Sequence, residues 1–205
     1  MNLKDTIDGQ SREVRFAISG LEVRAADGED GVKVEGYAAV FGQETDMAGY
    51  FTEVVAPGAF DAALARPDDV CFLIDHRGLP LARTSSGTLS LSVDAHGLKV
   101  QTTLDASDPD VGRIVPKMKR GDLTKMSFGF RAVKTHWDET ASPPKRFLEA
   151  VELFDVSIVT AAAYDGTEIA LRGLDLAGLE AASADAERAE MMRARMHRRA
   201  RLDEV

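Results

Sequence analysis

The chain has 205 residues, 44% of them hydrophobic, enough to bury a core and too many for wholesale disorder. Acidic side chains outnumber basic ones 34 to 25, which argues against nucleic acid as a partner of the whole chain. No apolar run approaches the roughly 18 residues of a membrane span, the N-terminus lacks the basic-then-apolar order of a secretory signal, and the lone Cys71 excludes an internal disulfide or a cysteine-based zinc site, so a soluble intracellular protein is expected.

Residues 1–12 are polar and unpatterned and read as a loose arm. Val14, Phe16 and Ile18 alternate with Arg15 and Ala17, which predicts a strand over 13–20. A Gly/Asp turn at 25–31 leads to a second period of two through Val32, Val34, Gly36 and Ala38, ending at Phe41. A polar loop over 42–49 and a short strand over 50–55 follow. Pro57 then suits a first helical turn, with Phe60 and Leu64 on one face.

The run from Val70 to Asp75 is nearly continuous in apolar residues and reads as a strand buried on both faces, ending in the turn Asp75-His76-Arg77-Gly78. Leu89, Leu91 and Val93, the turn at 94–97, and Leu98, Val100, Thr102 and Leu104 make a hairpin. Ser107 with Asp110 resembles a helix N-cap. Val111, Ile114, Val115 and Met118 follow at helical spacing, Gly121 stops the helix, and Pro116 is expected to kink or shorten it. Strands are predicted over 125–137, 146–152 and 154–160, with 169–171 closing the sheet. The predicted fold is mainly β with helices, an α+β protein whose strands form a barrel or curled sheet. From Leu174 the composition turns to Ala, Glu, Arg and Met and favours a helical tail. Six arginines between Arg188 and Arg201 against Glu190 give a local balance of +5 and leave −14 on the rest. An acidic surface suits this tail better than nucleic acid, which the acidic body opposes.

His76 stands out among the four histidines because it follows a buried strand and precedes a glycine turn. In Met126-Ser127-Phe128-Gly129-Phe130-Arg131 the period of two places three large apolar groups on one face. Ser127 shares the other with Gly129, which leaves room for a substrate backbone. A serine needs a base, and the base needs an acid to fix its tautomer. Asp155 is one candidate, on the polar face of Phe154-Asp155-Val156-Ser157-Ile158, although it would also suit an ion pair with Arg131. Glu152, nearer the preceding turn, is the other. Asp75 would point away from His76. No metal-ligand spacing and no phosphate-cradling loop is present, so no metal or cofactor is expected. The residues suggest a β-rich serine hydrolase.

Several segments carry a family resemblance: Gly36-Tyr37-Ala38-Ala39-Val40-Phe41, Val55-Ala56-Pro57-Gly58-Ala59-Phe60, Asp75-His76, Gly87-Thr88-Leu89, Gly97-Leu98, Lys119-Arg120-Gly121-Asp122, residues 126–130 and Phe154-Asp155-Val156-Ser157. In this order they resemble the tailed-phage prohead (capsid maturation) serine proteases, endopeptidases similar in fold to herpesvirus assemblins. The resemblance implies an assemblin-type β-barrel flanked by helices over 13–173, between the arm 1–12 and the tail 174–205. It implies Ser127 as nucleophile, His76 as general base and acid, and Asp155 at a position where the family usually has glutamate. Ala162 also departs, since a proline is common there. The implied partners are the major capsid protein and its scaffolding extension, with a homo-oligomer such as a dimer left open and no membrane. The implied place is the bacterial host cytoplasm, inside the assembling procapsid of a phage, a prophage or a domesticated particle. A catalytically inert scaffold built on the same barrel is the alternative.

Overall fold

The computed structural model describes residues 3–8, 12–17, 22–25, 31–66, 68–160, 188 and 191. Two compact units divide the chain, Ser11–Gly173 and the terminal residues 1–10 with 174–205. In the terminal unit Leu3–Asp8 forms a short helix, α1, within the expected loose arm. The expected strand at 169–171 and Ala162 lie outside the described residues, as does the expected helical tail apart from positions 188 and 191, which are helical.

The larger unit is mainly β. In chain order it has β1 (Glu13–Ala17), β2 (Glu22–Ala25), β3 (Gly31–Val40), β4 (Glu44–Asp46), β5 (Thr52–Val55), α2 (Asp61–Leu64), β6 (Cys71–Ile74), β7 (Arg77–Arg83), β8 (Leu89–Val93), β9 (Gly97–Asp105), α3 (Pro109–Arg120), β10 (Lys125–Asp138) and β11 (Lys145–Val159). One antiparallel sheet runs β2-β3-β9-β8. The larger runs β1-β10-β11-β5-β4, with β6 joined to β11 and β7 to β6.

The sheets do not close into a barrel, because among the described residues no ladder joins an edge of one to an edge of the other. They meet instead where β3 packs on β1 and β10. The core between them is apolar, with Phe60, Phe72, Leu98, Val100, Leu104, Met126, Phe128 and Phe130 all buried. Phe128 stacks on Phe130 at 4.9 Å between centroids and meets Phe60 edge-on at 5.3 Å.

Residues expected to form two strands, 146–152 and 154–160, form one. β11 is continuous over 15 residues, and its length lets it serve three neighbours. β10 pairs along its whole length, while β5 and β6 pair in parallel with its N- and C-terminal portions on the other side. Helix α3 also departs from expectation. Its N-cap is Asp108, whose carboxylate accepts from the Asp110 N–H at 2.8 Å, whereas the Ser107 hydroxyl turns back to Asp105. The helix continues through Pro116 for 12 residues and ends, as expected, at left-handed Gly121. β6 is only partly buried outside Phe72, since its partner β7 is an exposed edge strand.

The alternation in β1 also has an unexpected sense. Glu13 and Arg15 are buried, whereas Val14 between them is only partly so. They meet Glu53 of β5 and Arg146 of β11, also buried, in a set of two cations and two anions. Arg15 donates to Glu53 and, at 2.6 Å, to Glu13, while Arg146 donates to Glu13 at 2.8 and 3.0 Å and to Glu53 at 2.9 Å. Arg15 lies over the Phe130 ring and Arg146 over Trp137. Desolvation is tolerated only because each charge is answered within hydrogen-bond distance.

Removing one member strands the others. Glu53→Gln is expected to destabilise the fold by about 3 kcal/mol, read as a lower denaturant midpoint at unchanged slope. Acid should act on the same set. Burial pushes the Glu13 carboxyl up, but the Arg15 and Arg146 guanidiniums outweigh it and hold the group below its ordinary value. A depressed carboxylate stabilises fully above its unfolded pKa, roughly 4.3, and ceases to as pH falls through the lower folded value. Unfolding free energy measured from pH 6 to pH 2 should therefore fall steeply below about pH 4.

Candidate active site

Three neighbouring strands of the larger sheet bring the candidate residues together. Ser127 lies on β10 and Asp155 on β11, where Ser127 pairs with Ser157 and Gly129 with Asp155. His76 comes from the end of β6, which runs beside the same stretch of β11 with Asp155 opposite Cys71.

His76 occupies an unusual backbone. Ile74 pairs with Arg77 across β6 and β7, so Asp75 and His76 are the two central residues of a tight hairpin turn. Both have positive φ, 48° and 57°, as the favoured two-residue hairpin turns require and as glycine or asparagine supply most easily. Each such residue costs on the order of 1–3 kcal/mol unless its surroundings fix it. Asp75 is fixed through its carboxylate, which accepts from the Thr160 N–H at 2.8 Å and from the Thr160 hydroxyl.

The His76 ring links the other two groups. Nδ1 is 2.5 Å from Asp155 Oδ1, and Nε2 is 2.7 Å from Ser127 Oγ. Ser127 and Asp155 are buried, while the imidazole keeps 13% of its surface exposed. Burial pushes the Asp155 carboxyl up, yet the bond and charge of His76, the Ser157 hydroxyl and Arg12 overcome this and hold it below the ordinary value. An ionised carboxylate only accepts, so Nδ1 carries a proton toward Asp155, and a ring holding that one proton presents Nε2 to the serine as an acceptor.

The Ser127 hydroxyl has a second acceptor. Its Oγ is 2.7 Å from the backbone carbonyl of Arg15 on β1. One proton serves one acceptor at a time. Donated to Arg15 it leaves the serine at rest, and donated to Nε2 it prepares the oxygen as a nucleophile.

The space opposite Gly129 belongs to Asp155, not to a substrate backbone as the sequence suggested. A Cβ built on Gly129 would collide with Asp155 Oδ2 and lie 3.5 Å from Arg12 Nη2. We expect Gly129→Ala to displace the carboxylate and reduce turnover about 100-fold in a protein that still folds, checked by rate and melting temperature together. Nor does Asp155 pair with Arg131. That arginine takes Glu152, its partly buried partner across the ladder. Asp155 instead takes Arg12, whose Nη2 donates to Oδ2 at 2.7 Å.

Sequence reasoning missed Arg12 and Ser157. Arg12 falls in a segment without periodicity. Ser157 was visible only as an unremarkable polar residue two positions from Asp155. The remaining histidines stay apart: His96 packs edge-on against Tyr37, His136 lies 5.8 Å from the Phe147 ring, and His197 is outside the described residues. Among the described residues no group of His, Cys, Asp and Glu is placed to hold a metal, and no helix is long and apolar enough to cross a membrane.

A family profile described as caudovirus prohead serine protease matches residues 19–180. No curated protein and no solved structure matches the chain.

Proposed function

Since the chain belongs to the caudovirus prohead serine protease family, we propose that it is the endopeptidase of capsid maturation, with Ser127 as nucleophile, His76 as general base and acid, and Asp155 as the orienting acid. The observation that carries this reading is the unbroken series from hydroxyl to Nε2 at 2.7 Å and from Nδ1 to carboxylate at 2.5 Å. His76 Nε2 takes the Ser127 proton as Oγ attacks a peptide carbonyl, and the imidazolium returns it to the leaving amine. A water then repeats the cycle on the acyl-enzyme. Asp155 holds the ring in the tautomer that leaves Nε2 free to accept, and it stabilises the imidazolium once formed.

The substrates of this reading are the major capsid protein or its scaffolding extension, and the chain itself, inside an assembling procapsid in the bacterial cytoplasm. Residues 13–173 are the catalytic domain, and the basic stretch from Arg188 to Arg201 would hold it to acidic scaffold or capsid surfaces. Similarity in fold to the herpesvirus assemblins belongs to the same reading.

An inert assembly protein is the second reading. The burial of Ser127 and its hydrogen bond to Arg15 favour it. Co-expression with the capsid protein, wild type against Ser127→Ala, followed by intact mass, separates the two. Serine-dependent shortening of the capsid protein is the expected result, and an unshortened capsid protein with the wild type would favour the inert form.

A further inference from the structure

The catalytic reading leaves one buried hydroxyl in the centre of the site without a task. Ser157 is fully buried on β11, opposite Ser127 in the ladder and two residues from Asp155 on the same face. Its hydroxyl donates to Asp155 Oδ1 at 3.0 Å and accepts from the backbone N–H of His76 at 3.2 Å, with His76 Nδ1 3.3 Å away.

A serine has one donor and two lone pairs. Among the described residues every side-chain hydrogen bond of Ser157 goes to the two residues whose mutual bond must be held. Packing alone would be met by alanine. The His76 backbone is where restraint is needed, because the ring is carried on a turn with two consecutive non-glycine residues at positive φ. Asp75 is anchored by Thr160, outside the reacting groups, and His76 is anchored by Ser157, from within them.

We propose that Ser157 is a positioning residue of the protease: one oxygen atom fixes the backbone of His76 and the carboxylate of Asp155 relative to each other, and so sets the distance from Nε2 to Ser127. It touches no reacting atom and acts only through the other two. The inference rests on the assignment of Ser127, His76 and Asp155 as the catalytic series.

The test uses the full-length chain and a fluorophosphonate that labels activated serines. Wild type, Ser127→Ala, Ser157→Ala and Ser157→Thr are compared for maximal labelling rate, half-saturating probe concentration and melting temperature. Ser157→Ala is expected to lower the maximal rate about 10–100-fold, as a misplacement of about an ångström does, while half-saturation stays within about twofold. Ser157→Thr keeps the hydroxyl and should recover most of the rate. The low-field proton resonance of His76 Nδ1–H should be sharp in wild type and Ser157→Thr and broadened in Ser157→Ala. Should Ser157→Ala melt below the assay temperature, Ser157→Cys keeps the volume with a weaker donor and carries the same comparison. A maximal rate within about threefold of wild type, or a loss that threonine does not recover in a chain of wild-type melting temperature, overturns the proposal while leaving the protease assignment intact. Wild type labelled no faster than Ser127→Ala would overturn the assignment, and the proposal with it.

Discussion

Ser127→Ala and His76→Ala should each lower peptide-bond cleavage by at least about 10⁴-fold, but with different costs to the fold. Alanine at 127 removes the hydroxyl that His76 Nε2 and the Arg15 carbonyl share, and leaves the strand pairing of β10 with β1 and β11 as it is. The lost hydrogen bond is worth about 1 kcal/mol, so the melting temperature should move by only a few degrees. Alanine at 76 does more. It keeps a Cβ at φ 57° while removing the ring that lies closest to the buried Asp155 carboxylate. The carboxylate is then left to Arg12 and Ser157, and a loss of about 1–3 kcal/mol is expected. His76→Asn is the better inactive control, because asparagine tolerates the left-handed region. The check is turnover and thermal melting on the same preparations. Cleavage by Ser127→Ala at the wild-type rate would end the serine-protease assignment.

Asp155→Asn should cost about 10⁴-fold in turnover, whereas Glu152→Gln should stay within about threefold of wild type. The contrast follows from what each group touches. An amide at 155 can donate to Nδ1, which drives the ring proton to Nε2, where it blocks acceptance from Ser127. It also withdraws the negative charge that would stabilise the imidazolium. Glu152 pairs with the half-exposed Arg131 at the sheet surface, a contact worth no more than about 1 kcal/mol. Because Asp155 is held below the ordinary carboxylate value, it stays ionised throughout the neutral range, and its contribution to stability is withdrawn only as pH falls through its folded value. Single-turnover rates of the two variants across pH would check both statements. A larger loss in Glu152→Gln would exchange the roles of the two acids.

Much of this protein is legible from local chemistry alone. The alternation through Met126, Phe128 and Phe130 reports a strand with a buried face because side chains on extended backbone repeat every two residues. The same logic finds the β8–β9 hairpin, and the left-handed stop at Gly121 follows from a glycine after a helical run. Elements with weak or misleading local signals are the ones that depart from expectation. Asp75-His76 lacks the asparagine and glycine that mark a two-residue hairpin, so nothing local announces β7, and Ser107 resembles a cap that Asp108 provides. The break expected inside β11 does not occur, because three neighbouring strands supply hydrogen bonds along its whole length.

By itself, then, the sequence determined the mainly β character, the stop of α3 at Gly121 and the apolar face behind Ser127, and it singled out Ser127 and His76 while leaving Asp155 and Glu152 both open. Each depends on residues a few positions apart, whose relation the backbone period sets. Only the tertiary structure decided that the two sheets stay open. It alone turned Glu13 and Arg15 inward to Glu53 and Arg146, and gave Asp155 to His76 and Glu152 to Arg131. The same holds for Arg12 beside Asp155 and Ser157 beside His76. These pairings join strands far apart in the chain, and a charged residue in an alternating segment carries no mark of which face it will bury. That is settled by whether an opposite charge waits within hydrogen-bond distance when the strands pair, since a buried charge persists only when it is answered there.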